Sequence, residues 1–200
     1  WLSGDDVPQS LVHNVDRISW IMKEEMPTWA FGLAGRSSSF GEVYGDMFDH
    51  NTAVYEYESG TRLYALCRTQ AGCYNNSGDI IMGTKGTCNL ARCRIEGETN
   101  WRFEGKHNNP YAAEQKALID SVREGKPVNS GDYMATSTMI GVLGQITCYT
   151  GKPVKWDEAY NSDLQYGPAP EEASFDIDPR TVPAETGNYP LPLTGLTNLL

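Results

Sequence analysis

The residues best able to do chemistry stand near the start of the chain. Gln9, His13, Asp16 and Trp20 recur at helical spacing, with Asn14 beside His13. If residues 5–22 are helical, these four share one face, while Leu11, Val15, Ile18 and Met22 share another. A buried apolar stripe would then hold a polar stripe steady. A neutral imidazole titrates near working pH and can take the proton of a hydroxyl. A carboxylate one turn away can stabilise the resulting imidazolium. Gln9 carries no charge and is limited to hydrogen bonding, and Asn14 and Trp20 can contact a substrate. The same residues also read as a His–Asp pair on a solvated helix face beside a half-buried packing Trp. Spacing alone leaves both readings open.

Two further candidates are arginines. Arg36 follows the first expected strand and Arg68 ends another, where a fork of N–H donors can hold hydroxyls or a carboxylate. A salt bridge is the other use of such a residue. His50 and His107 have no partner at metal-ligand spacing, and Asp46, Asp49 and His50 form only a loose cluster. Cys67, Cys73, Cys88, Cys93 and Cys148 make no CxxC pair and no zinc-ligand pattern, so no metal is expected. No Gly-x-Ser-x-Gly elbow or Cys–His pair supports nucleophilic hydrolysis.

Composition narrows the partners. The 200 residues carry 16 basic and 26 acidic side chains, a net charge of −10, which argues against nucleic acid or an anionic membrane. No apolar run is long enough for a membrane span. A small neutral ligand suits this balance. The 40% hydrophobic content suffices for an ordinary globular core.

The elements that must position these residues follow from pattern. Asp5 and Asp6 offer carboxylates to the amides that open the first helix, with Pro8 in its opening turn. Strands are expected at 29–35, 53–58 and 62–68, the last two joined by Glu58-Ser59-Gly60-Thr61, then at 78–82, 87–95 and 100–103. Their short connectors imply a mainly antiparallel sheet. Asn109 and Pro110 begin a helix with Leu118, Ile119 and Val122 on its buried side, stopped by Gly125. A second helix covers about 130–149, with Ser137, Gly141, Gly144 and Cys148 as a stripe of small residues that allows close packing. Residues 167–200 hold six of the eleven prolines and are expected to be an extended tail, wrapping a neighbour or partly disordered.

Several of these signatures occur together. The helix with His13-Asn14-Val15-Asp16 is followed by Val54-Tyr55-Glu56-Tyr57 with a Gly60 turn, Gly83-Thr84-Lys85-Gly86, Asn109-Pro110-Tyr111 with Glu114, and Thr150-Gly151-Lys152-Pro153-Val154-Lys155-Trp156-Asp157-Glu158. In this order they resemble the C-terminal domain of the Gfo/Idh/MocA family, the oxidoreductases typified by glucose-fructose oxidoreductase and inositol dehydrogenase, in its bacterial branch. The resemblance runs from about residue 2 to 167.

It implies an α+β domain, a mostly antiparallel open sheet with helices packed on one face, over 1–166, followed by the Pro-rich tail. It further implies the substrate-binding half of an NAD(P)-dependent enzyme that transfers hydride from a sugar or polyol hydroxyl. In the family a His at the position of His13 lies over the nicotinamide and handles the hydroxyl proton. Many relatives carry an Asp one turn earlier, where this chain has Gln9. No Gly-x-Gly-x-x-Gly turn is present, and Gly125-Lys126-Pro127 lies at a helix end rather than in the family's Glu-Lys-Pro motif.

The N-terminal dinucleotide-binding domain is therefore expected to be absent from this chain, to be the partner that supplies NAD or NADP, and to leave the isolated fragment inactive. Relatives that cleave glycosidic bonds by transient NAD-dependent oxidation offer an alternative, as does a non-catalytic binding or assembly module. Family members often assemble through the open sheet face, so a homo-oligomer is expected. Their compartments include cytoplasm and periplasm, which leaves the location open.

Overall fold

Small and large apolar residues alternate along β1 (Trp29–Gly35), so that Ala30, Gly32 and Ala34 line one side of the strand and Trp29, Phe31 and Leu33 the other. The structure, a computed structural model, describes residues 4–177 and 183–200. These fall into two compact units, one of the described residues up to 73 together with those from 133 onward, and one of residues 74–132. The α+β class is as expected, but the strands divide into two four-stranded antiparallel sheets, one in each unit.

In the first unit β1 pairs with β2 (His50–Glu56) from Trp29↔Glu56 to Gly35↔His50, and β2 pairs with β3 (Arg62–Arg68) from His50↔Arg68 to Glu56↔Arg62. At the far edge Ala30 pairs with Val154 of the two-residue strand that precedes the helix Trp156–Tyr160. Between β2 and β3 the Tyr57 amide donates to the Thr61 carbonyl at 3.0 Å, with Gly60 at φ 79° taking the left-handed turn position.

One face of this sheet carries Ala30, Gly32, Ala53, Tyr55, Ala65 and Val154. Against it pack Val7, Leu11 and Val15 from the first helix and Ile140, Leu143 and Cys148 from the long helix Gly131–Thr150. The small residues permit the close approach. A Cβ at Gly32 would stand 2.8 Å from the Cys148 amide nitrogen, and one at Gly144 would stand 2.0 Å from the Tyr55 hydroxyl. The expected stripe of small residues thus lies against the sheet and the first helix. The opposite sheet face is open, with Leu33, Tyr64 and Leu66 exposed.

The first helix begins with a wide π turn, Val7–Leu11, and continues as α1 (Val12–Ile21). Asp5 does not cap it. The residue is fully buried, and its carboxylate accepts from the Asp6 amide at 2.6 Å, the Phe48 amide at 2.9 Å and Asn51 Nδ2 at 3.4 Å, which ties the start of the helix to β2. Burial raises its pKa above the ordinary carboxylate range against those hydrogen bonds.

Over residues 183–200 the chain carries no helix or strand and lies on its own unit. Asn188 Oδ1 accepts from the Gly41 amide at 2.7 Å, the Gly195 amide donates to the Thr150 carbonyl at 2.7 Å, and Leu200 packs against the core.

The second unit is an antiparallel meander in which the strands Ile80–Gly83, Gly86–Asn89, Arg94–Gly97 and Trp101–Arg102 lie in chain order. Residues 87–95, expected as one strand, break into two around a turn that holds Cys93 at φ 46°. The helix Pro110–Arg123 starts as expected, with Asn109 Oδ1 accepting from the amides of Tyr111 at 3.0 Å and Ala112 at 3.3 Å. Its expected buried side requires correction. Leu118, Ile119 and Val122 are 52, 47 and 67% exposed, because the helix makes no extensive contact with the sheet of its own unit. Among the described residues no helix is long and apolar enough to cross a membrane.

Candidate functional site

His13 rides on the outer side of α1, whose inner side is fixed by Val15, 1% exposed, and by Leu11 of the turn before it, 8% exposed. The imidazole is exposed and has no hydrogen bond among the described residues, so both ring nitrogens are open to a ligand. Gln9, also exposed, is carried by the wide turn one turn before it. Asn14 is half-buried and has a partner of its own. His13, Asp16 and Trp20 thus lie along α1, with Gln9 in the wide turn before it.

The long helix adds a residue that spacing could not supply. Tyr133, in its first turn, donates from its hydroxyl to Asp16 Oδ1 at 2.5 Å and stands 3.4 Å from the Asp16 carbonyl. Burial and the Asp16 carboxylate push the Tyr133 pKa up to about 12, so the phenol remains a donor through the physiological range. Its ring lies 6.5 Å from that of Trp20 at a tilt of 48°, and Trp20 is itself 68% exposed. Asp16 is thus held by Tyr133. No hydrogen bond joins it to His13 among the described residues.

The two arginines stand apart from this face. The Nε and Nη2 of Arg36 donate to the carbonyls of Tyr44, Gly45 and Met47, with 2.7 Å from Nε to Met47 and 2.9 Å from Nη2 to Gly45. Its fork therefore closes the loop between β1 and β2. Arg68 pairs in register with His50 at the end of β3, on the sheet face opposite the helices.

A second cluster sits where β1 ends and β2 begins. Asp49 is 2% exposed. Its Oδ2 accepts from the amides of Ser37, Ser38 and Ser39 at 2.9, 2.8 and 3.1 Å, and its Oδ1 lies 2.7 Å from His50 Nδ1 and 3.1 Å from Gln70 Nε2. Burial pushes this carboxyl up, but the donors from Ser37, Ser38, His50 and Ser39 outweigh it and hold the group well below the usual range. An ionised Asp49 only accepts, so His50 Nδ1 donates. The sequence offered an adjacent Asp49-His50 and a serine-rich loop, but no spacing rule connects them.

No protein-family model and no curated protein sequence matches the chain. Solved structures do. Myo-inositol 2-dehydrogenase from Lactobacillus plantarum aligns with a TM-score of 0.59 at 19% identity, over 76% of this chain and 49% of that one. The aldose-aldose oxidoreductase from Caulobacter crescentus, complexed with glycerol, aligns with a TM-score of 0.55 at 14% identity, over 72% of this chain and 45% of that one. An oxidoreductase from Agrobacterium radiobacter, in complex with NAD+, L-tartaric acid and magnesium, aligns with a TM-score of 0.53 at 15% identity, over 73% and 47%. The chain spans about half the length of these structures. At such identities the likeness establishes the fold, which is that of Gfo/Idh/MocA-type oxidoreductases, as the resemblance implied.

Proposed function

We propose that this chain is the substrate-binding part of an NAD(P)-dependent oxidoreductase that acts on a sugar or polyol hydroxyl, with the outer face of α1 turned to the substrate. The observation that carries the reading is the unpartnered, exposed His13 on a helix whose other side is locked into the core. Wide turns such as Val7–Leu11 occur often at functional sites, and this one ends two residues before His13.

Every strand pair among the described residues is antiparallel. The crevice of a parallel sheet, where a helix N-terminus meets a pyrophosphate, is not built by them. We therefore assign the nicotinamide to a second, dinucleotide-binding domain, and to this chain the substrate side alone. A nicotinamide bound there would supply the acceptor for the hydride that leaves the carbinol carbon. His13 takes the hydroxyl proton at a ring nitrogen, Gln9 and Asn14 hydrogen-bond neighbouring hydroxyls, and Trp20 offers an apolar surface to the ring carbons. Arg36 and Arg68 have no part in this reading.

The open sheet face supports a second role, assembly with another copy. Leu33 and Leu66 flank Thr52 in one cross-strand row and are 72 and 66% exposed. Joining the chain to a dinucleotide-binding domain and following NADH absorbance with polyols, free sugars and aryl glycosides tests the enzymatic reading. Reduction of NAD(P) by a free polyol or sugar, abolished by His13→Ala, is expected. Release of the aryl group without net NADH would instead indicate a glycosidase, and turnover unaffected by His13→Ala would remove His13 from the chemistry.

A further inference from the structure

We propose that Tyr133 is a positioning residue for the α1 face, fixing Asp16 as the acceptor of a substrate hydroxyl rather than as the counter-ion of His13. The inference rests on the reading of that face as the substrate side. The ligand class it selects is a ring bearing adjacent hydroxyls.

Asp16 and Tyr133 are 117 residues apart and are held by different helices. The hydroxyl of Tyr133 engages Oδ1, while Oδ2 has no partner among the described residues. A half-exposed carboxylate on a single helix samples several rotamers. Pinning one oxygen from a second helix removes that freedom and leaves the other oxygen aimed by the first. The pin is rigid, because the helix that carries Tyr133 is anchored further along by Ile140 and Leu143, both fully buried.

A carboxylate oxygen is a strong acceptor for a hydroxyl, and an ionised acceptor about doubles the strength of the bond. His13 lies one turn away on the same face, a rise of about 4.5 Å along the axis. The two side chains can therefore reach neighbouring hydroxyls of one ring, His13 taking the reacting one and Asp16 its neighbour. Trp20, beside Tyr133, supplies the apolar surface that such a ring needs for its C–H bonds.

The test is equilibrium binding of myo-inositol to the 200-residue chain by ligand-observed NMR, with cyclohexanol as the ligand that lacks a neighbouring hydroxyl. Binding of myo-inositol but not cyclohexanol is expected. Tyr133→Phe and Asp16→Asn should each weaken it about tenfold, the loss of one hydrogen bond to a charged group. The double variant should be no worse than either single one, since Tyr133 acts only through the Asp16 carboxylate.

Tyr133→Phe binding as tightly as the parent chain, or losses that multiply in the double variant, would overturn the proposal and leave the substrate face standing. Binding of neither ligand by the parent chain would sink the face and the proposal together. Asp16→Asn keeps an oxygen for Tyr133 to donate to, so it reports on the acceptor role even if Tyr133→Phe does not fold. Unchanged binding in Asp16→Asn would also overturn the proposal.

Discussion

Asp49 and His50 are neighbours in the chain whose side chains meet at 2.7 Å, although along a strand they should point to opposite faces. They meet because Asp49 stands one residue before β2, where its carboxylate turns into the amides of Ser37, Ser38 and Ser39. The pair thereby joins the end of β1 to the start of β2.

Removing that carboxylate should be costly. Asp49→Ala leaves three backbone amides without their acceptor and is expected to lower the unfolding free energy by about 2–5 kcal/mol, measured in urea. Arg36→Ala should instead loosen only the adjacent loop. Faster amide exchange confined to residues 42–48, with global stability little changed, is the expected pattern.

Stability should depend on pH through the same group. The folded chain holds Asp49 below the unfolded carboxylate value, so its contribution is full above about pH 4 and is lost as pH falls further. Asp5, raised by burial, acts in the opposite sense: its penalty sets in above the unfolded carboxylate value, grows as pH rises toward its folded pKa and is complete above it. Chemical unfolding of Asp49→Asn across pH 2–7 should therefore show less acid loss than the parent chain, and Asp5→Asn more.

His13→Asn should leave stability within about 0.5 kcal/mol, since an exposed side chain without hydrogen bonds contributes little to folding. In the assembled enzyme the same change should lower turnover by at least a hundredfold, the scale of a lost general base. Calorimetry and NADH absorbance on the same preparation separate the two effects.

Self-association should respond to the open sheet face. Leu66→Lys places a charge at one end of the exposed row and is expected to shift the chain toward monomer in sedimentation. Leu118→Lys, on the other unit's helix, serves as the comparison. A parent chain that is monomeric at all concentrations would remove this role.

Glycine positions along the long helix should differ sharply. Gly144→Ala forces a Cβ to within 2.0 Å of the Tyr55 hydroxyl and is expected to cost about 1–3 kcal/mol or more. At Gly141 the nearest atoms, on Pro8 and Val12, are 3.5 Å away. Gly141→Ala should be neutral or stabilising by up to about 1 kcal/mol, through its better helix propensity. Thermal unfolding of the two variants checks both.

Periodicity placed β1, β3, the first helix and the long helix well, because each is long enough to show its repeat and most end at Gly, Pro or a polar run. It did not separate the strands within 87–95, where the turn is made by Cys93 in a left-handed conformation that its residue type does not advertise. It also buried Leu118, Ile119 and Val122, since an apolar stripe states a preference and not the presence of a surface to meet it. Half of the candidate site was readable on one helix. Tyr133 was not, because its link to Asp16 exists only after two distant helices pack on the same sheet.

That packing also couples two residue types. The Tyr55 hydroxyl is buried with no hydrogen-bond partner, and it is the atom that a methyl at position 144 would strike. Tyr55→Phe should thus be harmless alone and should rescue much of the damage of Gly144→Ala. In proteins descended from a common ancestor with this chain, the pair would drift together, with a phenyl ring permitting what a phenol forbids.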